Sequence, residues 1–134
     1  MISLLVFLAG WLYVNFFEYA WHRWVLHGGR NAVHNAHHRA FLSGEYDTRP
    51  LLNIWGFVLA VLHVAAVSFF SRPLGLVFGL SVFSYLAVLE GAHAWQHHHP
   101  GSRWARWHIE HHRHSRKNFN VFLPVWDFVL GSRS

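Results

Sequence analysis

Three long apolar segments restrict the folds that this chain can adopt. Residues 1–21 contain no lysine or arginine, and residues 51–70 and 74–89 are almost uninterrupted apolar sequence. A helix of about 20 apolar residues matches the ~30 Å hydrocarbon layer of a bilayer. The sequence therefore predicts an all-α integral membrane protein with about three transmembrane helices. The short connection at 71–73 predicts a tight hairpin between the last two.

The composition agrees with a small membrane domain. Hydrophobic residues make up 53% of the 134 residues and charged residues only 13%, far from the average of water-soluble proteins. We expect residues 1–134 to form one domain. The absence of cysteine excludes disulfide bonds, thiolate zinc sites and cysteine nucleophiles.

The distribution of positive charge indicates a membrane topology rather than nucleic-acid binding. The formal net charge is +5, but every basic residue except Arg72 lies in segment 23–49 or segment 103–133. Lysine and arginine are enriched on the cytoplasmic side of membrane proteins. Three spans would place both segments on one side. We therefore expect a cytoplasmic face that carries both segments, an external N-terminus and no nucleic-acid partner.

Histidines are concentrated in the same two parts of the chain and just before residue 103. Histidines three or four residues apart share one face of a helix, which suits metal ligands, whereas adjacent histidines diverge by ~100°. Such neighbours suit two metal ions better than one. Ten of the 14 histidines form four clusters, and these are the predicted ligands: His22, His27, His34, His37, His38, His93, His97, His108, His111 and His112.

One pair of predicted ligands does not fit a regular helix. His22 and His27 are five residues apart, which separates them by ~140° around an α-helix. Both can face one site only if the helix ends near His27. The following Gly28 and Gly29 provide such an end.

Two carboxylates are placed to support the histidines. Glu18 lies four residues before His22, and Glu90 lies three residues before His93. Metal-bound imidazoles donate their outer N–H to such acceptors, which fixes the orientation of the ring. We expect Glu18 and Glu90 to accept these hydrogen bonds. The alternative is that each is a helix-end glutamate that reaches the membrane interface.

Two further segments flank the predicted site. The polar segment 28–50, which includes Asp47 and Arg49, should contain a short helix from Asn31 to Phe41. The aromatic segment 118–131 is too short for a further span and follows basic residues. We expect it to form a strand-like turn and a short helix on or under the bilayer surface.

Three other histidines are predicted to lie outside the ligand set. His63 stands alone within the second span, where a hydrogen bond between helices is the commoner role. His98 and His99 extend the run that begins at His97, and they are interpreted as outer or merely polar residues.

An all-imidazole site leaves the metal open, because imidazole binds iron, zinc and copper alike. Neutral ligands favour reduced ions, so oxygen activation is a natural use, and metal-assisted hydrolysis also remains open. The His-Glu-x-x-His motif of zinc proteases is absent.

The order of the motifs resembles the fatty acid hydroxylase superfamily, the membrane di-iron enzymes that include sterol desaturases, sterol methyl oxidases, fatty acid hydroxylases and carotene hydroxylases. The resemblance covers nearly the whole chain. It rests on His22-x4-His27, His34-x2-His37-His38, Glu90-x2-His93-x3-His97 and His108-x2-His111-His112, followed by Asn118-Phe119 and Pro124-x-Trp126-Asp127-x3-Gly131.

This resemblance implies two iron ions at the ten matched histidines, with zinc as a substitute, and dioxygen as the oxidant. It also implies electrons from a separate reductase, ferredoxin or cytochrome b5-type donor. The implied reaction is hydroxylation or desaturation of a fatty acyl or sterol-like lipid. The gap between His27 and His34 resembles that of the carotene hydroxylases, so a carotenoid substrate is the alternative.

A non-catalytic membrane protein that binds or transports metal is an alternative of another class. Transport would require polar ligands along the spans. Inside the predicted spans the sequence offers His63, Asn53 and scattered serines, whereas the clustered histidines lie at one end. The distribution therefore favours an enzyme.

Overall fold

The computed structural model describes residues 2–29, 31–45, 50–51 and 53–134, and these residues form helices, turns and loops without a strand. Asp47 and Arg49 lie outside them. The all-α prediction is confirmed for this part of the chain. The helices are α1 (Ile2–Ala20), α2 (Ala32–Leu42), α3 (Ile54–Phe70), α4 (Arg72–His98), α5 (Arg106–Arg113) and α6 (Val125–Val129), and a π-helical segment, Trp21–Leu26, continues α1.

Two helices are long and apolar enough to cross a membrane. They are α1 with its π-helical continuation (25 residues) and α4 (27 residues). The third apolar helix, α3, has 17 residues and is therefore about 25 Å long, slightly shorter than the hydrocarbon layer. Large apolar side chains on all three helices remain exposed, such as Leu4, Phe69 and Leu76. These exposed surfaces agree with association with a membrane.

Small residues allow α4 to pack closely against its neighbours, α1 and α3. A Cβ atom on Gly75 would lie 2.1 Å from Ser68 Oγ and 2.6 Å from Ser68 Cα on α3. A Cβ atom on Gly10 of α1 would lie 2.0 Å from Ser81 Oγ on α4. Such small residues bring helix backbones together, and this packing dominates where lipid removes the hydrophobic driving force between helices.

The connection between α3 and α4 is tighter than predicted. Ser71 alone separates the helices and caps α4, whose first turn already contains Arg72 and Pro73. Proline is tolerated there because the first helical N–H groups lack partners within the helix. At its other end α4 continues through His98 rather than stopping near residue 89. It therefore carries two predicted ligands beyond its apolar part.

The short helix in the polar segment is confirmed as α2 (Ala32–Leu42). Asn31 begins it, because the side-chain oxygen of Asn31 accepts a hydrogen bond from the backbone N–H of His34 at 2.9 Å. Asparagine is among the preferred residues at this position. The cap fixes the start of the helix that presents three predicted ligands.

The tail contains the predicted short helix, α6, but the stretch before it is not a surface turn. Residues 118–121, which we call the buried tail segment, are almost inaccessible to solvent. The side chain of Asn120 donates to the carbonyl of Asn15 on α1 at 2.9 Å, and that of Gln96 on α4 donates to the carbonyl of Val121 at 3.1 Å. The expectation for this stretch is therefore wrong: backbone groups that leave the helices find partners inside the protein.

Substitution of Gly75 by alanine should destabilise the fold. The new Cβ atom would meet the backbone of Ser68, so α3 and α4 must move apart, at a cost of about 1–3 kcal/mol. A matched control is Gly91→Ala on the same helix, where no atom lies within 4 Å of the new Cβ. Thermal unfolding in detergent should show a lower Tm for Gly75→Ala alone. Equal Tm values for the two variants would contradict the close packing.

Candidate metal centre

The ten predicted histidines come together in two groups of five. Within each group the ligand atoms, one ring nitrogen per residue, lie within 4.8 Å of one another. All ten side chains are buried except that of His27, which is half-buried. Site I consists of His22, His27, His34, His38 and His111, and site II consists of His37, His93, His97, His108 and His112.

The π-helical segment explains how His22 and His27 reach the same site. The backbone N–H of His27 donates to the carbonyl of His22 at 3.1 Å, an i→i+5 hydrogen bond. This wider turn makes residues five apart neighbours on one face. The two rings stack with their centroids 5.1 Å apart. The helix does end at Leu26 as expected, but the widened turn, rather than the break alone, brings the rings together.

Adjacent histidines in the sequence divide between the two sites. On α2, His38 belongs to site I and His37 to site II, and on α5, His111 belongs to site I and His112 to site II. The ~100° between successive residues of a helix produces this division. Each of these two short helices therefore contributes to both sites.

The ring nitrogens of site I make more close contacts with one another than hydrogen bonds alone can explain. The Nε2 atom of His27 lies 3.0 Å from Nε2 of His111 and 2.9 Å from Nε2 of His34. The Nε2 atoms of His34 and His38 are 3.2 Å apart. A neutral ring nitrogen carries either a proton or a lone pair, so at most two of these three contacts can be hydrogen bonds. Metal–imidazole bonds of about 2.1 Å at right angles would separate the nitrogens by about 3 Å.

Site II has the same spacing. The Nε2 atom of His108 lies 3.0 Å from that of His97 and 2.9 Å from that of His112. The Nε2 atoms of His93 and His37 are 3.2 Å apart. Both groups are therefore compatible with metal binding.

Two site I rings are oriented by backbone carbonyls. The Nδ1–H of His22 donates to the carbonyl of Phe119 at 2.5 Å, and that of His111 donates to the carbonyl of Lys117 at 2.7 Å. Each ring therefore keeps an unprotonated Nε2, the tautomer needed by a metal ligand. The Nε2 of His22 is buried and has no hydrogen-bond partner among the described residues. A buried lone pair of this kind is available to bind a metal cation.

Glu18 does not contact the rings that it was predicted to support. Its carboxylate accepts hydrogen bonds from the hydroxyl of Tyr85, the side chain of Asn120 and the backbone N–H of Val121. The outer N–H of His22 goes to a backbone carbonyl instead. The prediction is corrected accordingly: Glu18 holds the buried tail segment, and this segment orients the ring.

Glu90 accepts a hydrogen bond from the backbone N–H of Leu51 at 3.1 Å. It thereby links α4 to the residues that precede α3. Its predicted role towards an imidazole stays a prediction.

Burial lowers the pKa of histidines in both sites and so keeps their rings neutral. It lowers the pKa of His27 to about 4, and together with neighbouring histidines it lowers the pKa of His38 to about 3 and of His34 to about 2. Burial and neighbouring rings likewise lower the pKa of His108 and His112. A neutral imidazole offers a lone pair without first losing a proton.

Asp127 fixes the buried tail segment from the other side. Its carboxylate accepts hydrogen bonds from the backbone N–H groups of Phe119 at 2.8 Å and Asn120 at 2.7 Å. The hydroxyl of Ser132 donates to it at 2.7 Å. Asn118 just before has a φ of 56°, a left-handed conformation that asparagine tolerates. The role of Asp127 in supporting the site was not predicted from the sequence. Its position within an apolar, aromatic stretch could have indicated this, because a carboxylate buried there needs hydrogen-bond donors.

The remaining histidines lie outside both sites. The Nδ1–H of His63 donates to the carbonyl of Leu59 at 2.6 Å, so its hydrogen bond lies within α3 and not between helices as predicted. Its ring contacts the rings of Tyr13 and Phe17 on α1. His98 and His99 are exposed.

A cavity of about 240 Å³ opens beside both sites. His34 of site I and His37 and His93 of site II form one wall. Apolar residues, including Leu26 and Trp55, form much of the remainder. The cavity can therefore bring an apolar molecule next to the histidines.

The family model described as fatty acid hydroxylase matches residues 7–132. The matched range contains all ten histidines and the buried tail segment. Comparison with curated proteins and with solved structures gives no match.

Loss of the Asp127 carboxylate should weaken metal binding at site I, because the carbonyl of Phe119 would no longer be held against His22. The expected fall in zinc affinity for Asp127→Asn is about 10- to 100-fold, typical for a group that orients a ligand. Zinc titration against a competing chelator measures it.

Glu110→Gln is the matched control, because among the residues that the structure describes the Glu110 carboxylate on α5 pairs with Arg113 and His114 and with no predicted ligand. This variant should bind zinc as the wild type does. Unchanged zinc affinity in folded Asp127→Asn protein, with folding checked by thermal unfolding, would show that the Phe119 carbonyl is held without Asp127.

Proposed function

Because this chain belongs to the fatty acid hydroxylase family, we propose that it is a membrane-bound, non-haem di-iron oxidoreductase that uses dioxygen to hydroxylate or desaturate a lipid. The substrate class is a fatty acyl or sterol-like molecule. The observation that carries the proposal is the convergence of ten histidines, nine of them buried, into two groups of five.

The donor set fits iron. Sites I and II would each hold one ion through five neutral imidazole nitrogens, and zinc would be a competing substitute because it binds such sites more tightly than ferrous iron. When bound, the iron pair supplies the activation of dioxygen. The chain's part is to keep the ten rings neutral, correctly oriented and shielded from water.

The reaction requires electrons from outside the chain. Hydroxylation converts RH, O₂, two electrons and two protons into ROH and water. The chain contains no cysteine, so it has no thiol pair that could supply the electrons. A separate reductase, ferredoxin or cytochrome b5-type donor would supply them.

The cavity beside the two sites is the proposed place of the reacting part of the lipid. Its wall of histidines adjoins apolar residues such as Val33, Leu51 and Trp55. Burial of a hydrocarbon chain against such residues contributes about 25 cal/mol per Å². An apolar wall also excludes water from the reacting bond.

We further propose that α3 is a third span despite its length, and that residues 1–134 form one domain. The C-terminal ends of α1 and α4 then lie on the same side, where both carry histidines to the sites. Basic residues surround these ends and Arg72 lies at the opposite end, which supports a cytoplasmic histidine-rich face.

Elemental analysis and ligand variants test the metal centre. Purified wild-type protein should carry about two metal ions per chain, and His37→Ala or His111→Ala should lose metal and abolish lipid oxidation, because each opens a coordination position. His63→Ala is the matched control and should keep both ions and the activity. Lipid product is measured by mass spectrometry with reductant and oxygen.

One metal ion or none in active protein would overturn the dinuclear centre. Two ions without any lipid product would favour a protein that only binds or transports metal. Normal turnover of both ligand variants together with loss in His63→Ala would place the site elsewhere.

Topology is tested with reporter tags. Tags within segment 28–50 and after Ser134 should report cytoplasm, and a tag before Met1 should report the opposite side. The physical reason is the charge asymmetry between the two ends of the helices. Reports from opposite sides for the first two tags would contradict the arrangement of three spans.

A further inference from the structure

The proposed reaction requires a place on the protein surface where electrons from an external donor can enter. Two electrons per turnover must cross the protein surface, and nine of the ten histidines that would receive them are buried, while His27 is half-buried. A chain without cysteine cannot hold a thiolate-bound iron–sulfur cluster as a relay. The route therefore depends on where a metal site comes nearest to an exposed surface that a donor can reach.

The C-terminal end of α5 provides such a place. Five consecutive exposed residues, the last of α5 and the turn that follows it, form what we call the basic turn: Arg113, His114, Ser115, Arg116 and Lys117. The carbonyl of Lys117 accepts the hydrogen bond from Nδ1 of His111, at 2.7 Å. His111 is completely buried and belongs to site I. One hydrogen bond therefore separates the backbone of an exposed basic turn from a predicted metal ligand.

The charge of this surface selects an acidic partner. Three of its five residues, Arg113, Arg116 and Lys117, are basic and exposed, and the part of the chain from residue 103 onwards has three more exposed arginines, Arg103, Arg106 and Arg133. The same part of the chain contains two acids. Asp127 is buried, and the carboxylate of Glu110 lies 3.8 Å from the guanidinium of Arg113. A positive surface accelerates the encounter with a negatively charged protein and fixes its orientation.

The turn is suited to a soluble protein rather than to the bilayer. It presents no apolar side chain that could enter lipid. In contrast, α6 exposes Phe128 and Val129, the combination expected of a segment that lies on a membrane. The two parts of the tail region thus present different surfaces.

We propose that the turn Arg113–Lys117 is the docking surface for an acidic one-electron carrier protein, which delivers electrons to site I through the Lys117 carbonyl and His111. The inference rests on the proposed function, because it gives the electrons of that reaction an entry point. Two successive one-electron transfers oxidise two molecules of the carrier and supply the pair that the oxidation consumes.

Binding of a [2Fe–2S] ferredoxin to the zinc-loaded, full-length protein in phosphatidylcholine nanodiscs tests the proposal without requiring turnover. The double variant Arg113→Glu/Arg116→Glu should bind ferredoxin at least about tenfold more weakly at low salt, because charge reversal removes the attraction. Wild-type binding should weaken as salt rises towards about 0.5 M, because salt screens exposed charges. The matched control is Arg72→Glu, an exposed arginine at the opposite end of the helices.

Each outcome decides the proposal. Equal ferredoxin affinity of the double variant and the wild type, an equal loss in Arg72→Glu, or no binding by the wild type at low salt would overturn it. Unchanged ferredoxin binding together with weaker binding of the double variant to phosphatidylglycerol vesicles would assign the turn to the membrane. Lipid oxidation driven by a small neutral reductant tests the proposed function separately, because it does not involve docking.

Discussion

The centre of this protein depends on bringing ten imidazoles together, nine of them buried, with ring nitrogens facing one another. Buried polar groups are costly unless they find partners. The outer nitrogens of His111 and His22 donate to the carbonyls of Lys117 and Phe119, respectively. Inner nitrogens lie about 3 Å apart, as between His27 and His111. This arrangement makes sense for a protein that holds cations between the rings, and it explains why so many different segments must meet at one point.

The buried tail segment is what connects the metal centre to the rest of the fold. Glu18 on α1 and Asp127 from the tail hold three of its backbone N–H groups between them. In turn its carbonyl at Phe119 orients His22. These contacts give a physical role to the Asn118-Phe119 and Pro124-x-Trp126-Asp127 motifs of the family resemblance, because Asp127 holds the buried segment whose Phe119 carbonyl orients His22.

The two sites are chemically similar but differ in their surroundings. Site I is oriented by the tail and adjoins an exposed basic turn. Site II contributes two histidines, His37 and His93, to the wall of the cavity, and site I contributes one, His34. In the proposed function, one side of the centre faces the electron donor and the other faces the lipid. Such separation would let the protein admit electrons without opening the apolar cavity to water.

The sequence by itself determined the helical class, the position of α2 and the set of histidines, because apolar length and helical spacing are local properties. It did not reveal the i→i+5 turn at His22–His27, the partners of Glu18 or the burial of residues 118–121. The partners of Glu18 and the burial of residues 118–121 depend on contacts between residues about a hundred positions apart. Only the tertiary structure decided which acceptor each ring receives, because a carbonyl becomes available only where the chain is folded against that ring.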